Sequence, residues 1–154
     1  MLSDDVFRDN LERTLVDLEA WSDAMRDCAS IDIAASPRYW RLSVAPFIAG
    51  ACPFDLMIKS DQTFDLRLAH EVYEDNPIEK FDIFLMLAAA IAAGSIDKIE
   101  THNADTGALL AIETRVGLAP GWDWIGERRI APRLTPAIEP PEERRTHRFL
   151  PYRR

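Results

Sequence analysis

FDLMIKSDQTFDLRL, residues 54–68, alternates apolar and polar side chains twice around a short polar turn. Alternation with a period of two is typical of a strand with one buried face, so this segment predicts an antiparallel hairpin. Keeping every apolar side chain on one face pairs Ile58 with Phe64. The same register sets Asp55 opposite Arg67 on the other face, which is an attractive cross-strand pair.

Three further patterns precede this hairpin. Apolar residues at helical spacing predict an amphipathic helix over residues 4–28. Residues 30–37 are interpreted as a connector, and the alternation within residues 38–46 predicts a strand that ends at a proline. Residues 47–53 are interpreted as an unusually apolar loop. The N-terminal half is therefore predicted to be one helix followed by three strands.

A second helix is predicted after the hairpin. Residues 69–75 are acidic and are interpreted as a solvated connector. Asn76 followed by Pro77 is typical of a helix start, and Gly94 is typical of a helix end. The segment between them is almost uniformly apolar, so we expect this helix at the centre of the core.

A second hairpin is predicted over residues 96–116, with turn residues at its centre. The register that sets Ile99 opposite Ile112 also sets Lys98 opposite Glu113, again an attractive pair. We therefore predict this register for the second hairpin.

The resulting order is α-β-β-β-α-β-β, with residues 122–125 as either a sixth strand or a packed loop. Strands joined by hairpins are typical of an α+β fold, here an antiparallel sheet of about five or six strands with two main helices packed against it. The order over residues 4–116, with the small size and acidic charge, resembles the type III secretion chaperone fold. That resemblance implies a chaperone-like protein, although an Arg-rich extended tail stands where the family has its last helix.

Charge divides the chain into two parts. Residues 1–127 hold 10 Lys and Arg against 23 Asp and Glu, whereas residues 128–154 hold 8 arginines against 3 glutamates. We interpret residues 1–130 as a single acidic domain and residues 131–154 as a basic tail rich in proline and arginine. The formal net charge of −8 disfavours nucleic acid as a partner, because the acidic body repels phosphates.

Composition also indicates the cellular location and the source of the protein. The acidic N-terminus lacks the basic start and apolar run of a signal peptide, and no apolar stretch reaches the roughly 20 residues that span a membrane. Two cysteines, Cys28 and Cys52, are too few for a disulfide framework, so we expect a cytoplasmic protein. The preference for arginine over lysine, with abundant alanine, indicates a bacterial source with GC-rich codons.

Candidate chemistry is sparse. The three histidines, His70, His102 and His147, fall on separate segments, and His70 with its acidic neighbours is interpreted as solvated rather than metal-binding. Neither a nucleophile elbow nor a glycine-rich phosphate loop occurs. The sequence therefore predicts no catalytic residue, no metal and no cofactor.

Two features remain as candidate binding sites. Trp122 and Trp124, two apart on a strand, present both indoles on one face, where they either anchor a partner or cover the open end of the core. The tail arginines Arg144, Arg145 and Arg148 suit an acidic protein surface, which is that of a partner, of a second copy or of the chain's own body.

These features predict a non-catalytic protein-interaction module, an adaptor or chaperone-like protein that binds a protein partner or forms a homo-oligomer. The alternative is a small-molecule-binding protein or an enzyme. Its site is expected near the apolar residues 47–53 and His102, since a histidine close to turn carboxylates can act as a base within a cleft.

Overall fold

The computed structural model describes residues 1–130 and 141–154, which form two helices and nine strands. Residues 131–140 of the predicted tail lie outside the described residues. The elements are α1 (Asp4–Met25), β1 (Ala29–Ala35), β2 (Tyr39–Pro46), β3 (Phe54–Lys59), β4 (Thr63–Leu68), β5 (Glu71–Pro77), α2 (Ile83–Ala92), β6 (Ile96–Asn103), β7 (Leu109–Ala119), β8 (Trp122–Arg129) and β9 (Glu142–Arg148).

The strands form two antiparallel sheets. β1 to β5 form a five-stranded meander in chain order, and the second sheet has the order β8-β7-β6-β9. The fold is α+β with a helix first, as the sequence predicts. The prediction of one sheet with five or six strands is wrong, because the strands divide between two sheets.

Three strands occupy segments for which the sequence pattern predicts none. β1 lies in the predicted connector at 30–37, β5 in the one at 69–75, and β9 in the basic tail. All three are edge strands of the sheets that the described residues form. β5 and β9 are rich in charged residues, as edge strands often are, whereas β1 has Ser30 and Asp32 among apolar residues. Five strands therefore separate the two helices, whereas the resemblance to the secretion chaperones rested on three.

The register predicted for the first hairpin is confirmed. Ile58 pairs with Phe64, and Asp55 pairs with Arg67. The apolar side chains of this hairpin point to the buried face of the five-stranded sheet, where α1 and α2 cover them. Burial of one face determines the register, since a slip of one residue would expose the entire apolar set.

The register predicted for the second hairpin is wrong by one residue. Ile99 pairs with Glu113 rather than Ile112, and Lys98 pairs with Thr114. Two buried residues of this hairpin, Ile96 and Val116, lie opposite each other and join the main core. Ile99 thereby turns to the other face of the sheet.

Helix α2 is the central core helix that its composition predicts, since most of its residues are buried. It begins at Ile83 and not after Asn76. The Asn76 side chain instead donates hydrogen bonds to the carbonyls of Phe64 and Tyr73, which holds the end of β5. Gly94 follows the helix with φ +78°, the left-handed conformation expected beyond a helix end. Neither helix in the described ranges has the length and apolarity needed to cross a membrane.

Candidate interaction surface

β9 contains the three predicted binding arginines and is exposed along its whole length. It lies at the edge of the four-stranded sheet and pairs with β6. Arg148 donates a hydrogen bond to Asp97 at 3.1 Å, and Arg145 lies opposite Glu100 in the register. The described part of the predicted tail therefore docks on an acidic strand of the body.

The three arginines do not form one patch. Alternate residues of a strand face opposite sides of the sheet, so Arg144 and Arg148 share one face while Arg145 lies on the other. Arg148 also lines a polar cleft of about 370 Å³ with Arg115 and Asp123. The side chains of β9 thus leave the strand on both faces.

Trp122 and Trp124 lie at the opposite edge of the same sheet, on β8. Both are half-buried and share the face that packs on the body, as their spacing predicts. Trp124 meets Tyr73 edge-on, with ring centroids 5.3 Å apart, and the Lys80 ammonium lies 5.7 Å from the Trp122 ring. β6 and β7 separate these indoles from β9 by roughly 14 Å, since neighbouring strands are about 4.8 Å apart. The structure therefore does not bring the tryptophans and the arginines together.

A polar cluster that no sequence pattern predicts lies between the two sheets. Arg128 on β8 donates two hydrogen bonds to the buried Glu71 carboxylate on β5, at 2.8 and 3.0 Å. The Tyr73 and Thr114 hydroxyls share a hydrogen bond of 2.7 Å beside this pair. Arg128 holds the pKa of Glu71 below its usual value, and burial raises the pKa of Tyr73. Every one of these polar groups has a partner within the chain, so the cluster, called the joint below, connects the two sheets and is not a ligand site.

Gly126 lets the tyrosine of this joint approach the sheet. A Cβ at this position would lie 2.6 Å from a Tyr73 ring carbon and 2.7 Å from Trp124. We expect Gly126→Ala to lower the free energy of unfolding by about 1–3 kcal/mol, because two packed rings must shift. The measurement is urea denaturation of the purified variants.

The matched control for that prediction is Gly117→Ala on the neighbouring strand. Its added Cβ would meet the Ser95 hydroxyl at 2.8 Å, and a serine side chain can rotate away. We expect a smaller loss than for Gly126→Ala. Equal losses in the two variants would contradict the close ring contact.

Groups capable of catalysis are dispersed among the described residues. The His102 ring nitrogens contact the Gly107 carbonyl at 3.2 Å and the Glu100 carboxylate at 3.3 Å, and the His147 ring packs edge-on against Phe149. Burial raises the pKa of the Cys52 thiol to about 12, which keeps it protonated at neutral pH. No three His, Cys, Asp or Glu side chains in the described ranges gather as a metal site.

The segment at 69–75 is a strand and not the solvated connector that its acidic composition suggests. Glu71 and Tyr73 point into the molecule, whereas Val72 and Glu74 are exposed. His70 lines a groove of about 400 Å³ on the outer face of the five-stranded sheet. Asp55 also lines that groove, and its carboxylate lies 3.5 Å from the Arg41 guanidinium. This acidic group is therefore already matched by a cation.

The second half of the apolar loop at 47–53 contacts the C-terminal residues of the chain itself, whereas Phe47 at its start is exposed. Leu150 donates its backbone N–H to the Gly50 carbonyl at 3.0 Å, and the Tyr152 hydroxyl donates to the Cys52 carbonyl at 2.5 Å. His102 lies near the far end of β6, about 20 Å along the strand from the end that adjoins this segment. The structure therefore does not bring together the two parts of the alternative small-molecule site.

No protein-family model, curated protein or solved structure matches this chain.

Proposed function

We propose that this chain is a cytoplasmic, non-catalytic protein-interaction module of the adaptor or chaperone-like kind, which binds its partner through β9. The observation that carries the proposal is an exposed edge strand with three arginines, Arg144, Arg145 and Arg148. An unpaired strand edge binds extended polypeptide through main-chain hydrogen bonds, and arginine forks bind carboxylates. β9 offers both kinds of contact.

The charge of the molecule favours a protein over a nucleic acid as the partner. The chain has a formal net charge of −8, so a polyanion meets repulsion everywhere except near the arginines. A protein segment with a few carboxylates can bind β9 locally without a large electrostatic cost. Trp122, half-buried at the opposite edge of the sheet, is proposed as a separate contact for a larger partner.

The state of the reactive side chains supports a role without catalysis. The Cys52 thiol is buried and protonated, which removes the nucleophile from the apolar loop. His102 and His147 are each engaged with neighbours on their own hairpin or strand. The alternative function, a small-molecule-binding protein or an enzyme near residues 47–53 and His102, has less support because Tyr152 occupies the buried end of that loop and His102 lies at the far end of β6.

The proposal predicts that charge on β9 controls partner capture. In affinity capture from a nuclease-treated lysate of the source organism, we expect the wild-type chain to retain one protein stoichiometrically. Arg144→Glu/Arg145→Glu should weaken that capture about tenfold or more, because charge reversal places like charges at the contact. Binding is then quantified with the purified partner.

Arg8→Glu/Arg13→Glu is the matched control, since it makes the same change in net charge on exposed positions of α1. We expect this variant to capture the partner as well as the wild type does. An equal loss in both variants would show that net charge, and not β9, governs binding. A wild-type chain that retains no other protein and also shows no association with a second copy of itself would contradict the proposal directly.

A further inference from the structure

The backbone of β9 turns alternate residues toward β6 and toward the free edge of the sheet. Ala104 donates its N–H to the Pro141 carbonyl at 2.8 Å, and Phe149 donates its N–H to the Ile96 carbonyl at 3.3 Å. A residue of an antiparallel strand directs its N–H and C=O to the same side, and its neighbours direct theirs to the other side. The odd-numbered residues therefore bond to β6. The residues whose backbone groups point outward are Glu142, Arg144, Thr146 and Arg148.

Those outward groups form no strand pairing with any of the described residues, because β9 has β6 as its single neighbour there. None of the four is a proline, so each offers one donor and one acceptor. An edge of this kind is a template for another strand. In a regular antiparallel ladder, the outward residues of one strand must face the outward residues of the other.

The charge order of β9 makes it complementary to itself. The acidic residues stand at its start and the basic residues follow. Antiparallel pairing with an identical strand, in the register centred on Arg145, sets Glu142 opposite Arg148 and Glu143 opposite His147. It also sets Arg145 opposite itself, so one like-charge pair stands against two pairs of Glu142 with Arg148. This register pairs the whole strand and also sets outward residues against outward residues. Hydrogen-bonding geometry and charge therefore select the same register.

We propose that β9 pairs antiparallel with β9 of a second copy of this chain, which joins two four-stranded sheets into one continuous sheet. The inference rests on the proposed function of β9 and names the partner of that surface. Arg148 already bonds to Asp97 on its inner side. In the dimer it also meets Glu142 of the second copy on its outer side, so each arginine lies between two carboxylates.

A second edge strand shows that this complementarity is not general. β1 has one charged residue, Asp32, at its centre. The registers that pair each whole strand with an identical strand set Asp32 of β1 and Arg145 of β9 opposite themselves, which is unfavourable in both. β9 also gains two pairs of Glu142 with Arg148, whereas β1 has no opposite-charge pair to offset the repulsion. β9 is therefore favoured over β1 as the edge that associates with a second copy.

The first test measures the oligomeric state by sedimentation equilibrium over a range of protein and salt concentrations. We expect a monomer–dimer equilibrium that weakens as salt rises. Thr146→Pro removes an outward N–H without touching a bond to β6, so it should weaken the dimer roughly tenfold or more, whereas Thr146→Ala should not. A dimer that is insensitive to Thr146→Pro would overturn the proposal.

The second test uses complementary charge reversals and does not depend on how the proline is tolerated. Glu142→Lys/Glu143→Lys and His147→Glu/Arg148→Glu should each be monomeric, and an equimolar mixture should form a heterodimer. Circular dichroism confirms that each variant is folded. Failure of the mixture to associate would overturn the proposed pairing, as would a wild-type chain that stays monomeric throughout. Either result would refute pairing between two copies but not binding of another protein by β9. The capture experiment tests that binding separately.

Discussion

Replacement of Tyr152 by alanine is expected to lower the free energy of unfolding by about 3–5 kcal/mol, the range for removing a buried aromatic side chain. Tyr152 is the third residue from the C-terminus, yet it is only 1% exposed and belongs to the main core. Its hydroxyl donates to the Cys52 carbonyl, and its backbone N–H donates to the Ala92 carbonyl at 2.8 Å. The side chain therefore ties the apolar loop and the end of α2 together.

Two controls separate the contributions of Tyr152 to stability. Tyr152→Phe keeps the ring and removes the hydroxyl, which should cost about 1 kcal/mol, the net value of one hydrogen bond. Arg154→Ala changes an exposed neighbour and should stay within about 0.5 kcal/mol of the wild type. Urea denaturation gives all three values. A loss below about 1 kcal/mol for Tyr152→Ala would contradict the burial of this residue.

Docking of the C-terminus also explains why the loop at 47–53 is so apolar. Gly94 approaches the same segment so closely that a Cβ there would lie 2.8 Å from the Pro151 nitrogen. Arg153 then bonds to Asp27 and to the Ala24 carbonyl beside the end of α1. The loop and both helix ends thus contact one short segment. Ala51 and Cys52 of the loop belong to the core and Ile48 packs against it, whereas Phe47 is exposed.

Local alternation was sufficient to predict the first hairpin. In residues 54–68 every second side chain is apolar on both strands, and only one register buries all of them. The outer pair of Asp55 and Arg67 fits that register, so two independent signals agree. The long apolar alternation on both strands is what determines this register, and the charge pair is consistent with it.

In the second hairpin the same agreement was misleading, because Ile99–Ile112 and Lys98–Glu113 indicated a register that the structure does not adopt. β6 has apolar residues at Ile96 and Ile99, three apart, which on a strand lie on opposite faces. Because one face of the hairpin packs on the core, only one of these two isoleucines can be buried there. The core selects Ile96, because α2 and the five-stranded sheet already surround it. Packing against other elements therefore determines which face of the hairpin is buried, and the hairpin sequence alone does not predict it.

Edge strands were the elements most difficult to predict. β5 looks like a solvated segment because it is acidic, and β9 looks like an unstructured tail because it is rich in charge. Each is held by a partner distant in sequence: Glu71 by Arg128, and Arg148 by Asp97. The candidate arginines were identified from the sequence, but their strand and its free edge were not. Whether residues 131–154 form a part separate from the domain at 1–130 stays a prediction.

The pair of Glu71 and Arg128 gives the second large effect. We expect Arg128→Met to lower the free energy of unfolding by about 3 kcal/mol, because it leaves the Glu71 carboxylate unpaired, with only 5% of its side chain exposed. This expected loss is at the low end of the range for breaking a buried ion pair. Half of the Arg128 side chain is exposed, so water can reach the site. Glu71→Leu/Arg128→Met should recover most of the loss, because no buried charge remains.

The dependence of this effect on pH identifies the carboxylate as its cause. Arg128 lowers the pKa of Glu71 from its usual value of 4.5, so in the wild type the stabilisation is fully present above that value and is lost as pH falls through the lowered pKa. In Arg128→Met, protonation of Glu71 removes the buried, unpaired charge and with it the cause of the destabilisation. The difference between the two proteins should therefore shrink as pH falls from about 7 to about 3 in urea titrations. A difference that stays constant over this range would show that lost packing of the Arg128 side chain, and not the buried charge, destabilises the variant.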